Sequence, residues 1–422
     1  MNKGVKLRSL AHKILLDVYK FNTNIDKVYK RNSVDNLKSK DIAFINNISM
    51  NTMRYYFHSI NIIKLYANKL PKLHERILLC SAITQIVFLD FKDYAVINST
   101  VEVAKNLKKS HSFINAILKK INIDKNKIKN TAVKFKDLPF WFKNETKYLS
   151  EQEKNFFLKS FYKEPDIHLV FKSQKYLKNF EEKNLPTSIN SAFLVNRKKV
   201  KDILSYKEGS WWVQDFSSSF PLMNINNEIL VSRSIDLCAA PGGKSFQILS
   251  KKGNIILNDK NINRIEVLKS NLNRLKFKAK ITNNDVINIE EANKFKFVVL
   301  DAPCSSIGTI RKHPEIFFKK KYPNLQNLIK IQERMLDKAS RILDKNGVIL
   351  YMVCSFLKSE TTNQIEKFLM RNKDFKLDKF NVSPDNLYGN DLVKNDLMLT
   401  LPIELNGYKI DGYFAAFLKK NR

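Results

Sequence analysis

Two Cys-Ser pairs are the residues most suited to chemistry: "LDAPCSSIG" (Leu300–Gly308) and "YMVCSFL" (Tyr351–Leu357). Each places a cysteine, Cys304 or Cys354, just past an apolar run that reads as a buried strand. In open α/β sheets the loops beyond strand ends face the ligand crevice, where a soft nucleophile is useful. Cys80, within an apolar helical run, and Cys238 read instead as buried and inert thiols. Four scattered cysteines do not make a disulfide scaffold, so reduced thiols and a cytoplasmic setting are expected. Zinc would need three or four clustered ligands, and only His313 lies near these cysteines in sequence, so no metal is expected.

A thiol at such a position suits addition to a pyrimidine. Carbon 5 of a cytosine is too weak a nucleophile to accept a methyl group directly; a thiolate added at carbon 6 makes carbon 5 enamine-like. An isolated thiol, with pKa about 8.5, needs positive or dipolar surroundings to ionise. Asp301 and Lys244 are placed to stabilise the charge that shifts onto the ring. After transfer the carbon-5 proton must leave and the thiol be expelled, which a second acid/base group assists.

Lys244 belongs to "DLCAAPGGKSFQ" (Asp236–Gln247), whose Gly243-Lys244-Ser245 imitates the end of a phosphate-binding P-loop. The loop G-x-x-x-x-G-K-[ST] demands glycine where Cys238 stands, which argues against a nucleotide hydrolase, and the dinucleotide pattern G-x-G-x-x-G is absent. What remains is a strand ending in Asp236, a small-residue turn with Pro241, Gly242 and Gly243, and a helix start that attracts negative groups such as a carboxylate. Asp259 ends the next strand 17 residues after Gly242, about the separation at which an acid grips ribose hydroxyls. Asp285 follows a third short strand and Asp301 ends a fourth. These parts suit a nucleoside without a polyphosphate, a description that S-adenosylmethionine fits.

The elements that must hold these residues are legible in outline. After residue 230, "SIDLC", "GNIILND", "AKIT", "KFVVLD" and "GVILYMVCS" read as strands, with helices at 244–251, 261–275 and 325–344 and a final strand in "DGYFAAFLKK". That alternation implies a mostly parallel sheet covered on both faces. Between about 138 and 220, "DIHLVFKS" and "INSAFLVN" read as strands separated by a Lys-rich helix and "NLPTS", and the run Arg197-Lys198-Lys199 reads most simply as a solvated face. Residues 1–130 carry helix-period apolar residues such as Val5, Leu7, Leu10, Ile14 and Val18, and imply an all-α bundle with "DKNKIKN" (Asp124–Asn130) as a linker.

The chain has 422 residues, enough for two or three domains, and its 44% apolar and 27% charged composition is that of a folded protein. The balance of 74 Lys+Arg against 41 Asp+Glu gives +33, which favours a polyanionic partner such as nucleic acid, although a compositional bias toward Lys and Asn contributes. The longest charge-free apolar run in the N-terminal part, Ile77 to Leu89, is 13 residues and includes Ser, Thr and Gln, too short and polar to cross a bilayer, and the charged N-terminus offers no export signal.

With these residues in place, the chain resembles the RNA 5-methylcytosine methyltransferases, and among them the RsmB (Sun, Fmu) type that modifies small-subunit ribosomal RNA. Four stretches carry the likeness: "DLCAAPGGKS", "LDAPCSSIGTIRKHPEI", "VCS" and "DGYFAAFLKK". The resemblance implies a Rossmann-like methyltransferase domain over 226–422. It implies S-adenosylmethionine held by Cys238, Ala239, Ala240, Pro241, Gly242, Gly243 and Lys244 with Asp259, Asp285 and Asp301, Cys354 as nucleophile and Cys304 as helper in product release. "LPFWF" and "WWVQDFSS" look like the family's middle RNA-binding segment, here a small α/β part over 131–225, and residues 1–130 look like its NusB-like RNA-binding domain. The implied reaction is methyl transfer to carbon 5 of a cytosine in 16S ribosomal RNA through a Cys354–carbon 6 adduct, by a cytoplasmic monomer. The same chemistry on transfer RNA, and a non-catalytic RNA-binding or assembly factor, are the alternatives. The chain departs from the family where a Pro-Glu-x-Asn pattern usually follows the nucleophile: Lys358, Ser359 and Thr361 differ and Glu360 remains. Val353 replaces the usual Thr before it, and Asn261 stands where a second acid is common.

Overall fold

The helix-period apolar residues of the N-terminus fall as expected: Val5, Ile14, Leu15 and Val18 are buried on a helix over Lys3–Phe21, whose first turn is capped by the Asn2 side chain accepting from the Gly4 N–H. Further helices follow over Ser39–Arg54, Tyr56–Tyr66, Leu73–Ile83, Asp93–Asn106 and His111–Ile123. The computed structural model describes residues 2–292, 294–321, 323–382 and 392–421. They form two units, residues 1–163 with 310–322, and residues 164–309 with 323–422. Among its described residues the regular elements of the first unit are all helices. "DKNKIKN", expected as a linker, is instead packed within it: Lys125–Ile128 is a helical turn, Ile128 is buried, and Asp124 accepts from the Tyr66 hydroxyl at 2.7 Å. One apolar anchor among six polar residues is too weak a signal to read as structure.

Residues 310–322 come from the strand-rich half of the sequence yet complete the core of this helical unit. Phe317 is buried against the rings of Phe57, Trp141, Phe142, Phe157 and Phe161, with centroids from 4.9 to 6.2 Å. Phe318 packs on Tyr19 and Tyr56 at 5.8 and 5.0 Å, and the Arg311 carbonyl accepts from the buried Arg54 guanidinium at 2.8 Å.

The second unit holds two main sheets. The smaller consists of β1 (His168–Phe171), β2 (Asn184–Ser188), β3 (Ser191–Leu194) and β4 (Trp211–Val213), antiparallel in the order β2-β3-β1-β4. "NLPTS", expected to be a separator, is the edge strand β2; Pro186 is tolerated there because one side of an edge strand needs no donor, and the register slips between Pro186 and Ser188. In the basic run, Arg197 pairs with Glu164 and Lys198 with Glu182.

The larger sheet begins with β5 (Ser234–Asp236), β6 (Ile255–Asn258), β7 (Lys280–Thr282), β8 (Phe295–Asp301) and β9 (Leu343–Val353), and continues with β10 (Phe375–Asp378), β11 (Val393–Lys394) and β12 (Leu397–Thr400). A two-stranded hairpin of β13 (Glu404–Leu405) and β14 (Tyr408–Lys409) precedes the last strand, β15 (Tyr413–Lys420). The order is β11-β12-β15-β9-β8-β5-β6-β7, with β10 also paired to β15; β5 to β9 run parallel and β15 runs antiparallel to β9. Helices over Gly243–Ser250, Ile262–Leu275 and Leu325–Ile342 supply the crossovers, close to the expected bounds. Along β9, Val348, Leu350 and Met352 enter one core, while Ile349, Tyr351 and Val353 enter the other, which is why the strand reads as continuously apolar. The strand order reverses between β5 and β8. Ligands of such sheets sit beyond the carboxyl ends at that point.

Candidate active site

The two cysteines meet beyond β8 and β9. The Ala302 N–H donates to the Met352 carbonyl at 2.9 Å, prolonging the strand pairing, and the Gly308 N–H returns to the Cys354 carbonyl at 3.1 Å. Gly308 then lies so close to Gly412 that a Cβ on it would fall 1.8 Å from the Gly412 oxygen, so the turn closes only with glycine there. The sulfurs of Cys304 and Cys354 are 3.3 Å apart, both half-buried. The two thiols are unequal. The hydrogen bond from Cys304 lowers the pKa of Cys354 against the opposing effects of burial and of the Asp301 charge, helped by the Ser306 hydroxyl at 3.4 Å and the Lys244 ammonium. Cys304 is pushed well above its ordinary value by that same bond and by burial. The pair therefore ionises at Cys354, with Cys304 keeping its proton.

Lys244 and Asp301 stand beside them. The ammonium donates to Asp301 Oδ2 at 2.5 Å, and although burial alone would lower the lysine's pKa, the Asp301 charge raises it overall, so it stays cationic. Asp301 Oδ1 accepts from the Tyr413 hydroxyl at 2.8 Å, and the Tyr413 ring lies 5.3 Å from the Lys244 nitrogen. Tyr413 was not singled out among the candidate residues; its position as first residue of the terminal strand was the available signal.

The turn from Cys238 to Lys244 is built on a buried acid. Asp236 accepts from the Ser245 hydroxyl at 2.7 Å and the Cys238 N–H at 3.2 Å; burial pushes its carboxyl up to about 7 despite the Ser245 bond. Burial also raises the Cys238 thiol, which fits the inert reading, as does the fully buried Cys80. Ala239 and Ala240 are buried, the Ala240-Pro241 peptide is cis, and Gly242 has φ of 119°, where a Cβ would fall 2.0 Å from the Phe246 ring. Asp259 accepts from the N–H groups of Ala240 at 3.3 Å and Asn261 at 2.9 Å and pairs with Arg264 at 3.3 Å. A carboxylate has about four lone-pair sites, so acceptor capacity for a hydroxyl remains. Bare backbone at the turn and an acid at the next strand end fit a nucleoside-bearing cofactor. Asp285 is exposed farther along the same edge, where its side chain caps the turn Val286–Asn288 by accepting from the Ile287 N–H at 3.2 Å.

Glu360 is the other residue that organises the site. Fully buried, it accepts from the Ser305 N–H at 2.8 Å, the Ser305 hydroxyl at 2.5 Å, the Ser355 hydroxyl at 2.7 Å and the Gln332 amide at 3.1 Å. It thus ties the residue after each cysteine to one carboxylate. Among the described residues no group of three or more His, Cys, Asp or Glu could hold a metal ion, and no helix is long and apolar enough to cross a membrane.

A sheet reversing at β5/β8, a small-residue turn over a buried acid and paired thiols at the neighbouring strand ends define a Rossmann-like, S-adenosylmethionine-dependent methyltransferase. The family description "16S rRNA methyltransferase RsmB/F" matches residues 222–419, and that of the NusB family matches residues 5–122. The C-terminal domain is thus of the RsmB/F methyltransferase family and the N-terminal helical domain of the NusB family. It is similar to ribosomal RNA small subunit methyltransferase B of Shewanella oneidensis, at 27% identity covering 89% of this chain and 92% of the relative. The namesake in Photorhabdus laumondii is 26% identical over the full length of both. In fold it is similar to the solved PH0851 structure, with TM-score 0.68 and 20% identity, covering 100% of this chain and 99% of that one. The NSun6 structure from Pyrococcus horikoshii with SFG gives TM-score 0.54 and 18% identity over 67% of this chain and 97% of that one.

Proposed function

We propose that this protein methylates carbon 5 of a cytosine in 16S ribosomal RNA through a covalent bond from Cys354 to carbon 6. The observation that carries the reading is the unequal thiol pair, 3.3 Å between sulfurs, beside the Lys244–Asp301 ion pair. The target base leaves its stack, at a cost of a few kcal/mol, and enters beyond β8 and β9. The Cys354 thiolate adds to carbon 6, and the electron pair displaced onto the ring is stabilised by the Lys244 ammonium, which Asp301 holds in place. S-adenosylmethionine, held by Cys238 to Lys244 with Asp259, Asp285 and Asp301, supplies the methyl group to carbon 5. Loss of the carbon-5 proton to a base re-forms the double bond and expels Cys354, with Cys304 assisting release. Residues 1–130 and 131–225 are assigned to RNA binding and 226–422 to catalysis, in a cytoplasmic monomer that uses no metal.

Recombinant protein with labelled S-adenosylmethionine is expected to methylate unmodified small-subunit RNA, and Cys354→Ala to abolish transfer. Activity retained in that variant would overturn the assigned nucleophile. Bisulfite mapping of RNA from cells lacking the gene locates the cytosine; a site lost from transfer RNA and none from 16S RNA would overturn the substrate.

A further inference from the structure

A second concentration of charge lies away from the thiols, around Phe277. The helix Ile262–Leu275 runs along the cofactor turn, with Arg264 paired to Asp259 near its start and the Asn271 amide donating to the Pro241 carbonyl at 3.1 Å near its end, and closes at Lys276 in a left-handed cap with φ of 54°. Near that end the Arg274 guanidinium lies 4.5 Å over the Tyr206 ring and donates to the carbonyls of Tyr206 and Trp211 at 3.0 and 3.1 Å. Arg274 is thereby committed to fixing the loop before β4. Lys172, the residue after β1, places its ammonium 4.9 Å over the half-buried Phe277 ring. Phe277 in turn stacks on Phe246, the ring beneath Gly242, at 6.1 Å.

No carboxylate among the described residues forms an ion pair with Lys172, Arg274 or Lys276. Burial lowers the Lys172 pKa, and the charges of Lys276 and Arg274 lower it further. An aromatic face attracts one cation but does not relieve repulsion among three. Like charges held together without a counter-ion are relieved by an anion from outside.

We propose that Lys172 and Lys276 bind a backbone phosphate of the substrate RNA, on a floor made rigid by Arg274 and Phe277 and joined through Phe246 to the cofactor turn. The assignment rests on the RNA methylation reading above. Two lysine point charges without a backbone amide cradle suit a diester phosphate that positions a strand and carries no sequence information. The +33 net charge of the chain favours RNA over free phosphate.

The test compares full-length wild type, Lys172→Ala/Lys276→Ala, and the control Lys269→Ala/Lys367→Ala, which removes the same charge from exposed positions. Binding of unmodified 16S RNA is followed by fluorescence anisotropy across a salt series. The site variant is expected to bind about tenfold more weakly and its log K against log[salt] slope to flatten by about 0.7, the value for one single-strand phosphate. Turnover at saturating RNA and S-adenosylmethionine affinity stay at wild-type level, and the control keeps the wild-type slope. Equal slopes in the two variants overturn the site, and inorganic phosphate binding that is lost only in the site variant while its RNA slope matches that of the control overturns the assignment to RNA. RNA that binds with the expected slope difference but is never methylated overturns the reaction and supports the site.

Discussion

Cys304 and Cys354 have the same chemistry in isolation and different roles once folded. At 3.3 Å a single hydrogen bond assigns the proton to Cys304 and the negative charge to Cys354. Because the Cys354 pKa is lowered, its thiolate fraction reaches half at a lower pH than an ordinary thiol's. Iodoacetamide alkylation of Cys354, followed by mass spectrometry, should therefore show its midpoint below that of an ordinary thiol, and Cys304→Ala should move the midpoint up by removing the donor. An unmoved midpoint overturns the asymmetry. Both cysteines and Asp301 were legible in the sequence because strand-end positions are countable, and Lys244 because the Gly-Gly turn marks the start of its helix. Their asymmetry was not, since it depends on the direction of the hydrogen bond between the sulfurs and on where the fold brings Ser306 and Lys244 beside Cys354.

At the scale of elements, Glu360 joins the two cysteine loops from the short turn Lys358–Glu360. Of the departures, Lys358 and Ser359 fall on exposed or half-buried positions and Thr361 is buried with its hydroxyl on the Leu357 carbonyl at 2.9 Å, while the retained Glu360 is fully buried with four donors around it. Glu360→Ala leaves those donors without an acceptor, and losing even one or two such bonds in a buried site costs about 1–3 kcal/mol each. A fall of about 3 kcal/mol or more in urea unfolding is expected, with loss of methyl transfer, and Glu360→Gln should recover part of both. Wild-type stability in the alanine variant would show that the carboxylate does not hold the loops. The strands around it were read correctly where they are buried on both faces, as β8 and β9 are. They were missed where polar residues and a proline occupy an edge, as in β2, because edge strands lack an apolar pattern.

The whole molecule is organised differently from its sequence. The stretch "TIRKHPEI" read as part of the methyltransferase, yet residues 310–322 belong to the helical unit and supply it with Phe317 and Phe318. Linear order conceals this, because two adjacent phenylalanines carry no period from which a partner can be inferred. Phe317→Ala removes a ring from among five others, and such truncations cost about 3–5 kcal/mol. Calorimetry should show an early transition assigned to the helical unit while S-adenosylmethionine binding by the second unit persists. A fragment of residues 1–163 should lack a cooperative transition, and a fragment as stable as the intact unit would overturn the requirement for 310–322.

The interleaving also sets a schedule for biosynthesis. Residues 1–163 leave the ribosome before the two phenylalanines that fill their core have been translated. At about 5–20 residues per second the wait to residue 322 is on the order of 10–30 s. During that interval the aromatic cavity built by Phe57, Phe142, Phe157 and Phe161 has no occupant, so the nascent helical unit leaves apolar rings unfilled until residues 310–322 have emerged.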